Sequence, residues 1–171
     1  MKTFISVLLS LAMAISGFFG NIFAKPEEPV SSTAQSSVTD LVYVPNEEDI
    51  KLFNAVNEAR KASGKEPLQL DLELCKLAYI RAQEQAVSEN HGHIRPDGSH
   101  FITVFSEYNY NCKTAGENII VMGNPNTYSK EKAVSLWLNS PSHKSNMLND
   151  KWIKTGTAVI NNKYCVQLFA C

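Results

Sequence analysis

The spacing of apolar residues predicts two helices at the start of the folded part of the chain. The first begins at Asn46, a capping residue followed by three acidic residues that suit the positive end of a helix dipole. Gly64 and Pro67 end this helix. The second begins at Asp71 and ends within 90–92. The residues predicted to face inward are Ile50, Phe53, Val56 and Ala59 in the first helix, and Leu74, Ala78, Ala82 and Ala86 in the second.

The second half of the chain mixes strands with helices. The apolar run 117–122 predicts a buried strand, and 129–139 has helical spacing. Ser140-Pro141 then starts another helix, with serine as the cap and proline at the first helical position. The segment 101–108 is compatible with either a short helix or a strand, and its pattern does not decide between them.

The chain closes on a predicted β-hairpin. Two apolar runs, 155–160 and 164–169, flank the turn residues Asn161-Asn162-Lys163. Helices therefore come first, followed by strands mixed with helices and a final antiparallel pair. This order predicts an α+β fold, a sandwich with a small, mainly antiparallel sheet between helical layers.

The N-terminal residues 1–24 are predicted to be a secretory signal peptide. Lys2 precedes the apolar run 4–19, and the small residue Ala24 is the predicted cleavage position. A membrane anchor is the alternative interpretation, but the run is short for a spanning helix, which needs about 20 apolar residues. We therefore expect a secreted, extracellular protein, in solution or associated with the cell surface, with no transmembrane domain in its mature form.

Residues 25–45 are rich in Pro, Glu, Ser, Thr and Gln, so this stretch is predicted to be a disordered linker. The remaining residues, 46–171, are long enough for one domain with a single core. The whole chain has 16 basic and 17 acidic residues without a basic cluster. Tight nucleic-acid binding is disfavoured, because it depends on clustered cations that neutralise phosphates.

Four cysteines indicate two disulfides if the protein is exported, and three pairings are then possible. Cys165 and Cys171 lie on one predicted strand, about 20 Å apart in extended conformation, which is beyond disulfide reach. Cys75 is therefore expected to bond to one of them and Cys112 to the other. The favoured pairing is Cys75–Cys165 with Cys112–Cys171.

Four motifs occur in order along the chain: H-x-R-P-D-G from His93, G-E-N-I from Gly116, W-x-N-S-P-x-H-x-x-N-x-L from Trp137, and V-Q-x-F from Val166. This order resembles the CAP superfamily of cysteine-rich secretory proteins, antigen 5 and pathogenesis-related proteins, in particular its short bacterial secreted branch. The resemblance covers 52–169. It implies a three-layer α-β-α sandwich with a central cleft.

The resemblance also implies which residues line that cleft. By motif position, His93 and His143 match the two histidines of the family, and Glu117 matches the glutamate of G-E-N. Eukaryotic members carry a second glutamate where this chain has Asn139. The expected cleft residues are thus His93, Glu117, Asn139 and His143, with one carboxylate fewer than the eukaryotic pattern.

Three roles are open for these cleft residues. His93 and His143 could bind a divalent metal ion such as zinc or magnesium, with Glu117 as a ligand or as a partner of a ligand. Glu117 could then act as the general base of a hydrolase. Alternatively, the His–Glu–His cluster simply satisfies its own hydrogen bonds.

The other candidate residues favour structural roles. His91 and His100 are expected to be solvated. Asp97, the other acid near the motifs, precedes a glycine in a predicted turn, which argues against a glycosidase pair. Trp137 is expected in the core, and three amides are expected to orient the backbone: Asn118, Asn146 and Gln167.

Two functions follow as hypotheses. The first is a secreted module that binds a small apolar or amphipathic ligand, a cell-wall component or an extracellular protein in the cleft. The second is a divalent-metal-assisted protease or esterase that uses His93, Glu117 and His143. The sequence lacks a self-sufficient hydrolase motif such as H-E-x-x-H, so the binding module is the favoured hypothesis.

Overall fold

The structure is a computed structural model, and it describes residues 43–171. The predicted signal peptide, 1–24, lies outside the described residues, and so does the predicted linker, 25–45, apart from its last three residues. The predicted domain, 46–171, lies entirely within them. No helix of this described part is long and apolar enough to cross a membrane.

Five α-helices and four strands make up the described residues. The helices are α1 (Glu47–Ala62), α2 (Leu72–Val87), α3 (Thr103–Glu107), α4 (Lys130–Asn139) and α5 (Pro141–Met147). The strands are β1 (Gln69–Leu70), β2 (Ala115–Val121), β3 (Lys154–Ile160) and β4 (Tyr164–Ala170), and a 3-10 turn covers Pro125–Thr127. The undecided segment 101–108 therefore contains a helix, α3.

The strands form one sheet in the order β1-β3-β4-β2. The short strand β1 pairs with β3 in parallel, whereas β3 with β4 and β4 with β2 pair antiparallel. This arrangement confirms the small, mainly antiparallel sheet. Since β2 is the last strand in this order, one edge of β2 has no strand partner among residues 43–171.

Helices cover both faces of the sheet. One apolar cluster joins α1, α4 and α5 to the face of the sheet that carries Val159, Cys165 and Phe169. A second cluster joins α2 and α3 to the opposite face, which carries Ala158 and Val166. The alternation of successive strand residues between the two clusters follows from the two-residue period of a β-strand. The predicted three-layer α+β sandwich is confirmed.

Helix α1 begins where its capping residues predict, but its inward face differs from the prediction. Asn46 and Asp49 form a capping box at its start. Leu52, Ala55 and Val56 face the core, whereas Ile50 and Phe53 are only partly buried.

Buried Asp49 explains the rotated face of α1. One carboxylate oxygen of Asp49, Oδ1, accepts the backbone N–H of Val159 at 2.7 Å. The hydroxyl of Thr157 donates to the backbone carbonyl of Asp49 at 2.8 Å. These bonds turn Asp49 towards strand β3 and so set the face of the helix that reaches the core. The spacing of apolar residues along the sequence does not reveal that a carboxylate is buried against the sheet.

Helix α2 packs very closely on the sheet. Its alanine row is confirmed: Ala78 and Ala82 are fully buried, as is Leu74. A Cβ atom on Gly156 would lie 2.1 Å from the carbonyl carbon of Leu74 and 2.3 Å from the backbone nitrogen of Cys75. Glycine at 156 therefore lets the backbones of α2 and β3 approach each other.

The closing hairpin is also confirmed. Strands β3 and β4 pair along their full length, from Lys154 with Ala170 to Ile160 with Tyr164. Asn161 and Asn162 adopt left-handed backbone conformations, with φ of 53° and 50°. The N–H of Lys163 donates to the carbonyl of Ile160 at 3.0 Å and closes the turn. Positive φ at both central residues of such a turn is typical of type I′, and asparagine tolerates it.

No bond joins the four cysteines in the structure, and the two predicted disulfides stay predictions. The surroundings of the cysteines disfavour the Cys75–Cys165 pairing. Cys165 packs into the cluster beneath α1, whereas Cys75 lies on α2, which covers the opposite face of the sheet. Cys112 and Cys171 are closer neighbours, because the backbone N–H of Lys113 donates to the carbonyl of Cys171 at 2.9 Å.

Candidate functional site: a buried Arg81–Glu117 pair beneath two histidines

Glu117 lies in the middle of the site, on the edge strand β2. Its side chain is buried, and each of its carboxylate oxygens has a partner. Oε1 accepts the Nε–H of Arg81 at 2.7 Å, and Oε2 lies 2.7 Å from Nδ1 of His93. Neither Glu117 nor Arg81 exposes its side chain, whereas 46% of the His93 side chain is exposed. His93 is therefore the member of this group that solvent or a ligand can reach.

A loop between α2 and α3 positions His93. The carbonyl of Gly92 accepts hydrogen bonds from Nη2 of Arg81 and from Nε2 of Gln85, each at 2.9 Å. The N–H of Gly92 in turn donates to Oε1 of Gln85 at 2.9 Å. On the other side, the N–H of Phe101 donates to the carbonyl of His93 at 2.8 Å. The backbone on both sides of the imidazole is thus fixed by hydrogen bonds.

His143 comes from the other helical layer. It lies in the first turn of α5, and its carbonyl accepts a hydrogen bond from Nδ2 of Asn118 at 3.1 Å. Nδ2 of Asn146 donates to the carbonyl of Glu117 at 3.0 Å. These two amides tie α5 to β2, as predicted for Asn118 and Asn146. At the end of α5, buried Arg60 donates to the carbonyl of Met147 at 2.7 Å.

The charge state of His143 depends on its surroundings. Burial lowers the pKa of His143 below its usual value of 6.5, and the nearby imidazole of His93 lowers it further. Desolvation and a neighbouring like charge both disfavour the imidazolium form. His143 is therefore neutral at pH 7, and it is close enough to His93 for their charges to interact.

Asn139, the fourth predicted cleft residue, does not join this cluster through a hydrogen bond. It is exposed at the end of α4, and its Nδ2 lies 3.4 Å from the hydroxyl of Ser135 on the same helix. The structure thus brings His93 and Glu117 into contact, places His143 near them, and leaves Asn139 outside the hydrogen-bonded group.

Arg81 is a site residue that the sequence analysis missed. It is fully buried on α2, and it contacts both Glu117 and the peptide before His93. A signal was present, because Leu77, Arg81 and Gln85 form a row beside the alanine row of α2. Polar residues at such core positions are rarely buried without partners.

Arg81 also belongs to a chain of alternating charges that leads away from the site. Its Nη1 pairs with Oε2 of Glu84, and Glu84 accepts two hydrogen bonds from Arg95 at 2.7 and 2.9 Å. Arg95 pairs with Glu107 at 2.7 Å. This chain connects α2, the His93 loop and α3. Each buried charge in it has an opposite charge beside it, as buried ions require.

The donor set offers limited support for a metal ion. Both oxygens of Glu117 are engaged, and Nδ1 of His93 is bonded to Glu117. Among residues 43–171, no group of three or more His, Cys, Asp or Glu side chains is placed to hold a metal ion. Catalytic zinc sites use three protein ligands and structural ones four. The described residues therefore do not fit a complete zinc site.

The remaining candidates have structural surroundings. His91 and His100 are exposed, as predicted. Asp97 accepts the N–H and the hydroxyl of Ser99 in a turn. Trp137 is fully buried in the core. Gln167 departs from its prediction, because its amide donates to the hydroxyl of Thr155 at 3.1 Å and not to a backbone carbonyl.

A pocket of about 280 Å³ lies away from this cluster. None of the predicted site residues lines it. Its lining comes from α1, the start of α4 and the hairpin turn: Glu48, Lys51, Tyr128, Ser129, Lys130, Glu131 and Asn162.

Comparison with known proteins agrees with this architecture. The YkwD protein of Bacillus subtilis (strain 168) is 28% identical over 112 residues, which cover 66% of this chain and 42% of the relative. An extracellular protein containing an SCP domain from Bacillus anthracis superposes with a TM-score of 0.66 at 22% identity, covering 74% of this chain and 41% of that one. The chain thus spans about two fifths of each of these relatives.

A third relative is closer in length. An outer surface protein from Borrelia burgdorferi superposes with a TM-score of 0.63 at 25% identity, covering 74% of this chain and 95% of that one. The family model described as "CAP: Cysteine-rich secretory protein family" matches residues 53–171. This match includes the four motifs, the sheet and the Arg81–Glu117 pair. The chain belongs to the CAP, or cysteine-rich secretory protein, family.

Proposed function

We propose that this protein is a ligand-binding module whose ligand contacts His93 and His143 in the cleft at the free edge of β2. One observation carries the proposal: both oxygens of buried Glu117 are occupied, by Arg81 and by His93. A fully buried carboxylate in this state orients an imidazole, and neither of its oxygens is exposed to a substrate for proton abstraction. The groups left to meet a ligand are the two imidazoles.

The surroundings of His93 favour an amphipathic ligand. The ring of Phe101 lies with its centroid 5.9 Å from that of His93. Ile94 and Ile102, next to these two residues in sequence, are 54% and 43% exposed. A ligand with a polar group for the imidazoles and an apolar part for these side chains matches this surface. A cell-wall component and an extracellular protein are the other ligand classes to be tested.

We also propose that the protein acts outside the cell. The N-terminal residues have the order of charge, apolar run and small residue that is typical of a signal peptide. Two of the structural relatives are described as an extracellular protein and an outer surface protein. N-terminal sequencing of the exported protein tests this proposal, and a mature protein that begins at Lys25 would support it.

Native mass spectrometry tests the binding proposal. The purified protein is incubated separately with lipid extract and with solubilised peptidoglycan fragments, and the retained mass identifies the ligand class. We expect a lipid to be retained by the wild type and lost in the His93→Ala variant. His91→Ala is the matched control, because His91 is an exposed histidine two residues away. Retention of nothing, or equal retention by both variants, would contradict the proposal.

A divalent-metal-assisted hydrolase is the second candidate. Both histidines lie beside β2, His93 against Glu117 and His143 through its carbonyl against Asn118, and this placement favours it. A fold relative at 16% identity and a TM-score of 0.50 has been crystallised with Zn²⁺. Elemental analysis of the purified protein provides the test. One zinc or magnesium ion per chain, together with an ester- or peptide-hydrolysing activity lost in Glu117→Gln, would favour the hydrolase over the binding module.

A further inference from the structure

We propose that Arg81 is a positioning residue of the cleft: through Glu117 it fixes the imidazole proton of His93 on Nδ1, so that Nε2 is left as an acceptor for the ligand. The ligand contact rests on the function proposed above. The effect of Arg81 on His93 does not, because it is a property of the protein without ligand.

The hydrogen bonds around Glu117 have a fixed direction. A guanidinium group can only donate, so Oε1 of Glu117 must accept the Nε–H of Arg81 at 2.7 Å. Arg81 is fully buried, and a buried cation is stabilised by ionised carboxylates beside it, here Glu117 and Glu84. Glu117 therefore meets Arg81 as a carboxylate. Its other oxygen is then an acceptor as well.

The proton of His93 follows from this. Oε2 of Glu117 lies 2.7 Å from Nδ1 of His93. Two acceptors cannot share a hydrogen bond, so Nδ1 carries the proton. In the neutral imidazole Nε2 then has a free lone pair. Because 46% of the His93 side chain is exposed, this acceptor is within reach of a ligand.

Arg81 also holds the backbone next to His93. Its Nη2 donates to the carbonyl of Gly92 at 2.9 Å, which is the peptide group immediately before His93. One buried side chain thus holds both Glu117 and the backbone that carries the imidazole. A residue that only filled space on α2 would hold neither partner.

The Glu117→Gln variant should reverse the tautomer of His93. Arg81 can only donate, so it must take the amide oxygen of the new side chain. The amide NH₂ group then faces Nδ1 of His93, which has to accept. The proton of His93 should therefore move to Nε2. If Arg81 is removed as well, in the Arg81→Met/Glu117→Gln variant, the amide can turn over and this preference should disappear.

Nitrogen NMR of histidine side chains measures the tautomer directly. The protein is labelled with ¹⁵N-histidine, and the signals of His93 are identified from a His93→Gln variant. We expect the Nδ1–H tautomer in the wild type, the Nε2–H tautomer in Glu117→Gln, and a mixture in the double variant. Thermal unfolding confirms that each variant is folded. Arg81→Lys, which keeps a buried cation, should retain the wild-type tautomer if it folds.

Arg95→Met is the matched control. Arg95 belongs to the same charge chain and contacts Glu84, but its hydrogen bonds go to residues other than Glu117. This variant should keep the Nδ1–H tautomer. Two results for the neutral imidazole would overturn the proposal. One is a wild-type His93 that carries its proton on Nε2, and the other is a His93 that keeps its proton on Nδ1 in the Glu117→Gln variant. Neither result depends on whether a ligand binds, so the two proposals fail separately.

Discussion

Arg81 and Glu117 form an ion pair at 2.7 Å with neither side chain exposed to solvent. The pair joins helix α2 to edge strand β2, 36 residues apart in the chain. It lies beneath the exposed imidazole of His93 and sets the direction of the hydrogen bonds around it. Its energetic and functional consequences can be measured separately.

The ion pair should show strong coupling in stability measurements. Arg81→Met and Glu117→Gln should each lower the free energy of unfolding by about 3–5 kcal/mol, because each removes one charge of a buried, hydrogen-bonded ion pair. The double variant should lose much less than the sum of the two. Chemical denaturation of all four proteins measures the cycle. Additive losses would mean that the pair contributes no coupling energy.

A single methyl group on the sheet should be poorly tolerated. Gly156→Ala should destabilise the protein by about 3 kcal/mol, because the new Cβ would collide with the backbone of α2 and the helix would have to move. Gly123→Ala is the control, since a Cβ there has no atom within 4 Å. Thermal unfolding compares the two. Equal unfolding temperatures for both variants would show that the backbones of α2 and β3 are not closely packed at Gly156.

Stability should fall in mild acid because of His143. Its pKa is lowered in the folded protein from 6.5, by burial and by His93, so the unfolded chain binds a proton at a higher pH than the folded one. The contribution of His143 is therefore complete above pH 6.5 and is lost as the pH falls through that value towards the lower, folded pKa. Urea unfolding at a series of pH values should show a smaller acid effect in His143→Gln. An identical pH profile in the variant would contradict the assignment.

Exported protein should contain one disulfide, between Cys112 and Cys171. The backbone segments that carry these two residues are hydrogen-bonded to each other, and the pKa of Cys112 is raised by burial and by the nearby Cys171. Cys75 and Cys165 should remain reduced, since they lie on opposite faces of the sheet. Peptide mapping without reductant identifies the bond. A peptide that links Cys75 to Cys165 would require a different packing of α2.

Local signals in the sequence predicted most of the elements, although strand β1 was missed and α2 ends at Val87, before the predicted 90–92. Asn46 and Asp71 accept backbone hydrogen bonds as helix caps, and the Asn161-Asn162 turn has the expected left-handed conformation. These features depend on a few neighbouring residues, so a single sequence is sufficient to find them. The family motifs supplied the contact between His93 and Glu117, which are 24 residues apart.

The features that the sequence analysis missed depend on contacts between distant segments. The inward face of α1 is set by the bond from Val159 to Asp49, 110 residues apart. Arg81 was missed because its partner lies on another element. The Cys75–Cys165 prediction had a related weakness, since spacing along the chain does not show which face of the sheet a cysteine occupies.

The most direct test of the binding cleft is a histidine-resolved NMR titration with one amphipathic probe. The ¹⁵N-histidine-labelled protein is titrated with palmitoyl lysophosphatidylcholine below its micelle concentration. The four histidines of the chain report on the cleft and on its surroundings. We predict saturable shifts of the side-chain signals of His93 and His143, with His91 unchanged. Signals of His93 and His143 that stay fixed while the probe binds elsewhere, or that do not respond at any concentration, would contradict an amphipathic ligand in the cleft.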